Sequence, residues 1–342
     1  MELIDFKNKL KTGELSGWYI FAGEEDYLKK YYLKSLHDAV VSDEAFALFN
    51  YASYDGAQID FASVKEAITS PPMMGDYKLI EWRFADLDGL KEGDKSALES
   101  LFDLRDGYPY AIFAIMTTAD GFDVGTPKKP SKLASRLSSG FDIISFPKSS
   151  DAQLLAWLKK HFDAEGVAVD AQTLSAMLFR VGHSMDVLNN EVIKLCCYAK
   201  ANKKNFVTPT DVDEVCSSTV ECDAFALSNA ITDKNITKAF TTLTDLKMRR
   251  IEPTAIIAML ERTYCELTSV ALMLEEGADA KDIETLLKLH PFKAKLAIGA
   301  AKKLGIKKIA DSLSDLRKID ASSKSGGING YGAIEMFITQ NI

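Results

Sequence analysis

A chain of 342 residues is long for one hydrophobic core, so two or three domains are expected. Hydrophobic residues at 47% and charged residues at 26% are ordinary for a globular protein, and no apolar run approaches the roughly 20 residues of a membrane span. The net charge of −8 is uneven: residues 1–140 hold 16 Lys/Arg against 23 Asp/Glu, a net of −7, and residues 281–324 hold 11 against 5, a net of +6. That distribution argues against a nucleic-acid grip running the length of the chain.

The N-terminus, Met1-Glu-Leu-Ile-Asp-Phe-Lys7, lacks the basic-then-apolar layout of a signal peptide. The five cysteines (Cys196, Cys197, Cys216, Cys222 and Cys265) are odd in number and show no zinc-type spacing. They read as reduced thiols of a cytoplasmic protein.

The first 146 residues alternate strand and helix signals. Trp18-Tyr-Ile-Phe-Ala22 is a buried strand, and residues 25–40 have helical spacing at Leu28, Tyr32, Leu36 and Val40. Residues 47–54 read as a second strand. An amphipathic run at Phe61, Val64, Ala67 and Ile68 then ends at Ser70, because Pro71 and Pro72 forbid helix. Met73 and Met74 follow, and Gly75-Asp76 releases the chain into a third strand, residues 77–82. Two flexible apolar side chains on a proline-stiffened tip suit another protein's pocket. The competing reading is that both methionines pack on their own domain.

Residues 95–104 form the next helix, and Tyr110-Ala-Ile-Phe-Ala-Ile-Met116 is a continuous apolar strand of the kind buried on both faces of a parallel sheet. A loop at 121–130, a short helix at 131–138 and a strand at 141–146 complete an α/β domain, a five-stranded parallel sheet with flanking helices. After Pro147 no further strand is convincing. Helices are expected at 151–162, 171–181, 184–200 and from Thr208, where Thr208 is N-cap, Pro209 lies in the first turn and Asp211 at the third position. Seven more follow: 223–232, 236–248, 253–276, 280–289, 291–304, 306–322 and 332–341.

The loop after the first strand is where a phosphate-binding motif GxxxxGK[ST] would lie. Gly23 and Lys29 fall in register, but Leu28 replaces the second glycine and Lys30 the hydroxyl residue. Glu24, Glu25 and Asp26 place carboxylates where a helix N-terminus would greet an anion. At the third strand Glu81 is followed by Trp82 and Arg83, so paired carboxylates for magnesium are missing. The four histidines are scattered, no catalytic cysteine or serine motif occurs, and Gly326 and Gly327 near Lys324 read as a loop. No metal or cofactor is expected.

The order of these elements resembles the delta subunit of the bacterial DNA polymerase III clamp loader. The resemblance is carried by Trp18-Tyr-Ile-Phe-Ala-Gly-Glu-Glu-Asp-Tyr-Leu28, residues 67–82, Gly182-His-Ser-Met-Asp-Val-Leu-Asn-Asn-Glu-Val-Ile-Lys-Leu195, Val207-Thr-Pro-Thr-Asp-Val212, His290-Pro-Phe292 and Asp320-Ala-Ser-Ser-Lys324. It implies an AAA+ architecture: a sheet domain (1–146), an all-α lid (147–216) and an all-α collar (217–342). It also implies a subunit without ATP hydrolysis, within the polymerase holoenzyme, that binds the sliding clamp (beta subunit) and opens its ring for loading on primed DNA. Its partners would be the ATPase and delta-prime subunits. In the family a hydrophobic pair before the third strand enters the clamp's pocket, which implies a grip by Pro71, Pro72, Met73 and Met74 with Tyr77 at the rim. Leucine or phenylalanine often stands where this chain has methionine.

Other residues have two readings. Lys293, Lys295, Lys302, Lys303, Lys307 and Lys308 would either face DNA phosphates or form a solvated helix face. Arg136 follows Ser135 where ATPase sisters carry a trans-acting arginine in Ser-Arg-Cys, but here Leu137 holds the third place. Asp186, Asn190, Glu191 and Lys194 read as lid-helix surface and packing residues. The functional alternatives are an active ATPase with an atypical phosphate loop, and a helical DNA-binding scaffold.

Overall fold

The computed structural model describes residues 1–41, 47–289, 291–325 and 329–342, so His290, Gly326 and Gly327 lie outside the described residues. The chain divides into two compact units, Met1–Ser150 and Asp151–Ile342.

The first unit begins with α1 (Leu3–Thr12), a helix that the periodicity does not announce. Phe6 is its one fully buried side chain, and Gly13 ends it in the left-handed conformation. There follow β1 (Trp18–Ala22), α2 (Asp26–Val40), α3 (Ala47–Asn50), β2 (Tyr51–Asp55), α4 (Phe61–Thr69) and β3 (Lys78–Ala85). Next come α5 (Glu92–Ser100), α6 (Phe102–Arg105), β4 (Ala111–Thr117), a small antiparallel hairpin of β5 (Gly125–Thr126) and β6 (Lys129–Pro130), α7 (Lys132–Leu137) and β7 (Asp142–Ser145).

Five strands form one parallel sheet in the order β2-β3-β4-β1-β7. β1 and β4 are buried along their whole length, which is why they read as unbroken apolar runs. Alternate residues feed two cores. Trp18, Ile20, Ile80, Trp82, Phe113 and Ile115 pack under Val64, Ile68, Leu98 and Leu137, whereas Tyr19, Phe21, Leu79, Ile112 and Met116 pack under Phe6, Leu33 and Leu36. Each such side chain contributes roughly 1.5–3 kcal/mol of burial. One expectation is corrected: the strand foreseen at 47–54 begins only at Tyr51, because residues 47–50 make a single helical turn that turns Asn50 inward.

The second unit holds α8 (Asp151–Ala164), β8 (Ala168–Val169), α9 (Ala171–Val181), α10 (Met185–Ala201), β9 (Phe206–Val207) and α11 (Pro209–Val215). It continues with α12 (Val220–Thr232), α13 (Ile236–Met248), α14 (Pro253–Glu275), α15 (Ala280–Leu287), α16 (Pro291–Lys324) and α17 (Gly330–Asn341). β8 and β9 pair in parallel, so strands do occur after Pro147; at two residues each they are too short to leave a period. Thr208 and Asp211 form a reciprocal capping box with Pro209 in the first turn. α16 is two helices joined at Gly305, whose φ of 74° and ψ of 154° lie outside helical space. Leu260, Tyr264, Leu267, Ile309, Leu316, Ile334 and Phe337 fill the core among α14, α16 and α17. Among the described residues, no helix is long and apolar enough to cross a membrane.

Candidate functional site

The tip between α4 and β3 is built from its two ends. Asp60 caps α4 by accepting from the Ala62 and Ser63 amides, and at the other end Ser70 is already extended, as the following proline demands. The Tyr110 hydroxyl donates to the Thr69 carbonyl, one of the orphan acceptors of the helix end, at 3.0 Å. Lys78, on the first residue of β3, is buried and donates to the Ser70 hydroxyl; its desolvation lowers its pKa.

Between these anchors the chain turns outward. Pro71 is exposed, Pro72 partly so, and Met73 and Met74 are 45% and 83% exposed. The main chain of Met73, in contrast, is pinned. The Met73 N–H donates to Asn50 Oδ1 at 2.7 Å, and Asn50 Nδ2 donates back to the Met73 carbonyl at 2.8 Å. Asn50 itself is 5% exposed. Met74 takes a positive φ of 55°, uncommon for a residue with a long side chain. A side chain at Gly75 would crowd Asn50 Nδ2, with its Cβ at 3.3 Å. Tyr77 is half-buried and packs on the core under α1 and α2. The arrangement is therefore a rigid main-chain support that presents two adaptable apolar side chains to solvent.

The loop after β1 uses its polar groups internally. Gly23 has a φ of 114°, and a Cβ there would stand 2.4 Å from the Phe146 carbonyl oxygen. The same carbonyl accepts from the Glu25 amide at 3.0 Å. Lys29 is completely buried; its Nζ donates to the carbonyls of Gly23 (2.6 Å) and Thr117 (2.8 Å) and pairs with Asp26 at 2.8 Å. An ammonium has three donors, and all three of these are taken. Leu28 is half-buried against the core under α1 and α2. Lys30 lies on the surface, on a groove of about 360 Å³ with Lys34, His37, Tyr51, Glu81 and Arg83. Glu81 is buried there and accepts from Tyr51 at 2.9 Å; burial raises its pKa, while Arg83 pairs with Asp55.

The remaining sequence candidates separate by their partners. Arg136 pairs with Glu99 (2.6 Å) and Glu92 (2.7 Å) of α5. Lys293 pairs with Glu266 and Lys303 with Asp233, and Lys308 reaches the Asn341 side chain. Lys295, Lys302 and Lys307 are exposed on α16 with no partner among the described residues. On α10, Asp186 and Asn190 are exposed, and buried Glu191 pairs with Lys194 at 2.7 Å. Sequence reading missed Asn50 and Tyr110, which act 23 and 41 residues away from the tip they hold.

Two family models match the chain. DNA polymerase III, delta subunit, covers residues 19–117, and DNA polymerase III delta subunit, C-terminal domain, covers residues 221–341. The chain belongs to the DNA polymerase III delta-subunit family. It is 22% identical over 344 residues to the DNA polymerase III subunit delta of Bacillus subtilis (strain 168), across 99% of this chain and 96% of that one. It shares its fold with the solved Bacillus subtilis DNA clamp loader delta protein, with a TM-score of 0.55 and 22% identity over 98% of both chains. The expected architecture is thus present: a five-stranded parallel sheet with flanking helices, then a largely helical region.

Proposed function

We propose that this delta-family chain is the subunit that grips the sliding clamp of the replicative polymerase and holds its ring open at one interface. The observation that carries this reading is the tip itself, where Met73 and Met74 are exposed on a main chain pinned by Asn50. Preorganised apolar side chains bind at low ordering cost. Burying the pair is worth roughly 3–6 kcal/mol before such costs, which suits a grip that must later let go. Pro71 and Pro72 stiffen the approach, and Tyr77 flanks it.

The grip is mechanical. A phosphate-binding role for the loop after β1 is disfavoured because the Lys29 ammonium is spent on two carbonyls and Asp26. The driving ATPase sisters and delta-prime would dock on the helical unit, read as a lid (147–216) and a collar (217–342). Lys295, Lys302 and Lys307, free of partners among the described residues, are the candidates for contact with primed DNA.

The test is binding of the purified chain to its organism's sliding clamp, beside a Met73→Ser/Met74→Ser double variant. Sub-micromolar affinity lost in the variant, with an unchanged melting temperature, is the expected result. Tight binding that ignores both substitutions would move the contact elsewhere.

A further inference from the structure

We propose that the clamp grip has a second apolar element, Leu48 and Phe49 on α3, which contacts the clamp beside the Met73–Met74 tip; this rests on the clamp-binding reading above. Among the described residues, the two most exposed large apolar side chains of the chain are Leu48 at 86% and Met74 at 83%. They are 26 residues apart in sequence, yet Asn50 hydrogen bonds tie their segments together. Phe49, itself 46% exposed, precedes the pinning residue directly. Consecutive Cα atoms are about 3.8 Å apart, so Leu48 and Phe49 sit within two residue steps of the residue that holds Met73.

The helical turn carrying them has no packing reason to display them. A four-residue helix gains almost nothing from its own hydrogen bonds, and α3 has one buried side chain, Asn50. Asn50 thus serves the turn and the tip together, and the two large apolar residues before it are left exposed. Scattered apolar residues on a surface need no explanation, but four exposed ones on two segments joined by a two-way hydrogen bond can be covered as a patch by one partner. The occupant that this patch continues toward is the protein surface around the tip's pocket. That surface would be apolar and uncharged, because Leu48, Phe49, Met73 and Met74 bring no charge of their own.

Lock-step presentation has a consequence for the interaction. A partner that seats Met74 brings its surface against α3 without further ordering of this chain, so the second contact acts chiefly on dissociation. Phe49, the aromatic residue of the four, is the natural anchor of that contact.

The experiment compares four proteins for clamp binding: wild type, Leu48→Ser/Phe49→Ser, Met73→Ser/Met74→Ser and Leu48→Met. It is run with the free chain and again with the assembled ATP-bound loader, and melting temperatures are recorded throughout. The expected result is a tenfold or greater loss of affinity in Leu48→Ser/Phe49→Ser, mostly in the off-rate, with Leu48→Met near wild type and melting temperatures unchanged. Wild-type binding by Leu48→Ser/Phe49→Ser, alongside lost binding in Met73→Ser/Met74→Ser, would overturn this inference and leave the tip reading intact. Failure of every protein to bind in both formats, or binding insensitive to both double variants, would overturn both.

Discussion

At Met73 the amide and the carbonyl are both held by one side chain, that of Asn50. Each neutral hydrogen bond contributes a net of about 1 kcal/mol, so Asn50→Ala gives up about 2 kcal/mol of order in the tip. The loss falls on the conformation of the tip more than on the core, because Met73 and Met74 are exposed. Clamp affinity is expected to fall by about ten- to thirtyfold, read in a titration against wild type, with a small drop in melting temperature. Unaltered affinity would mean that the two prolines alone order the tip. Pro71-Pro72-Met73-Met74 was legible in sequence because proline restricts its own backbone and its neighbour's. Asn50 was not, since a polar residue between Phe49 and Tyr51 gives no sign of which distant main chain it will bind. Lys29 was legible in register but not in direction: only the fold turns its ammonium toward the Gly23 and Thr117 carbonyls.

Elements were readable where local chemistry specifies them. Thr208, Pro209 and Asp211 announce the start of α11 by capping geometry alone, and Gly305 announces the break in α16. α1, α3, β8 and β9 were not readable, because each is short or owes its order to a few tertiary contacts rather than to a period. The break at Gly305 can be tested against a control in the same element. A Cβ at Gly305 or at Gly299 would meet nothing within 4 Å, so space does not separate the two positions. Backbone does: Gly305 lies at φ 74° and ψ 154°, a region held almost wholly by glycine, whereas Gly299 is helical. Gly305→Ala is expected to cost about 1–3 kcal/mol, and Gly299→Ala to add up to about 1 kcal/mol, in denaturant unfolding of the full chain. Equal effects of the two substitutions would show that the kink follows packing and not the glycine.

Charge is the property of the whole molecule that the two units divide unequally, with the acidic excess in residues 1–140 and the basic excess in 281–324. An acidic excess disfavours a general grip on phosphates by residues 1–140, so the proposed DNA contact is placed on α16. Half of the six lysines proposed there already have partners within the chain, Glu266, Asp233 and Asn341. Lys295 and Lys302 are seven residues apart, two helical turns or about 10 Å along one face, and Lys307 follows the break at Gly305. Each lysine that neutralises a phosphate releases counterions and steepens the fall of log affinity with log salt by about 0.9 for duplex DNA. In the assembled loader, Lys295→Ala/Lys302→Ala/Lys307→Ala is therefore expected to weaken primed-DNA binding and to flatten its salt slope by up to about three, while clamp binding stays at the wild-type value. Lys303→Ala, which removes a lysine already paired with Asp233, is expected to leave that slope unchanged. A triple variant with the wild-type salt slope would make the basic segment a solvated helix face, and the path of the DNA would then have to run over the loader's other subunits.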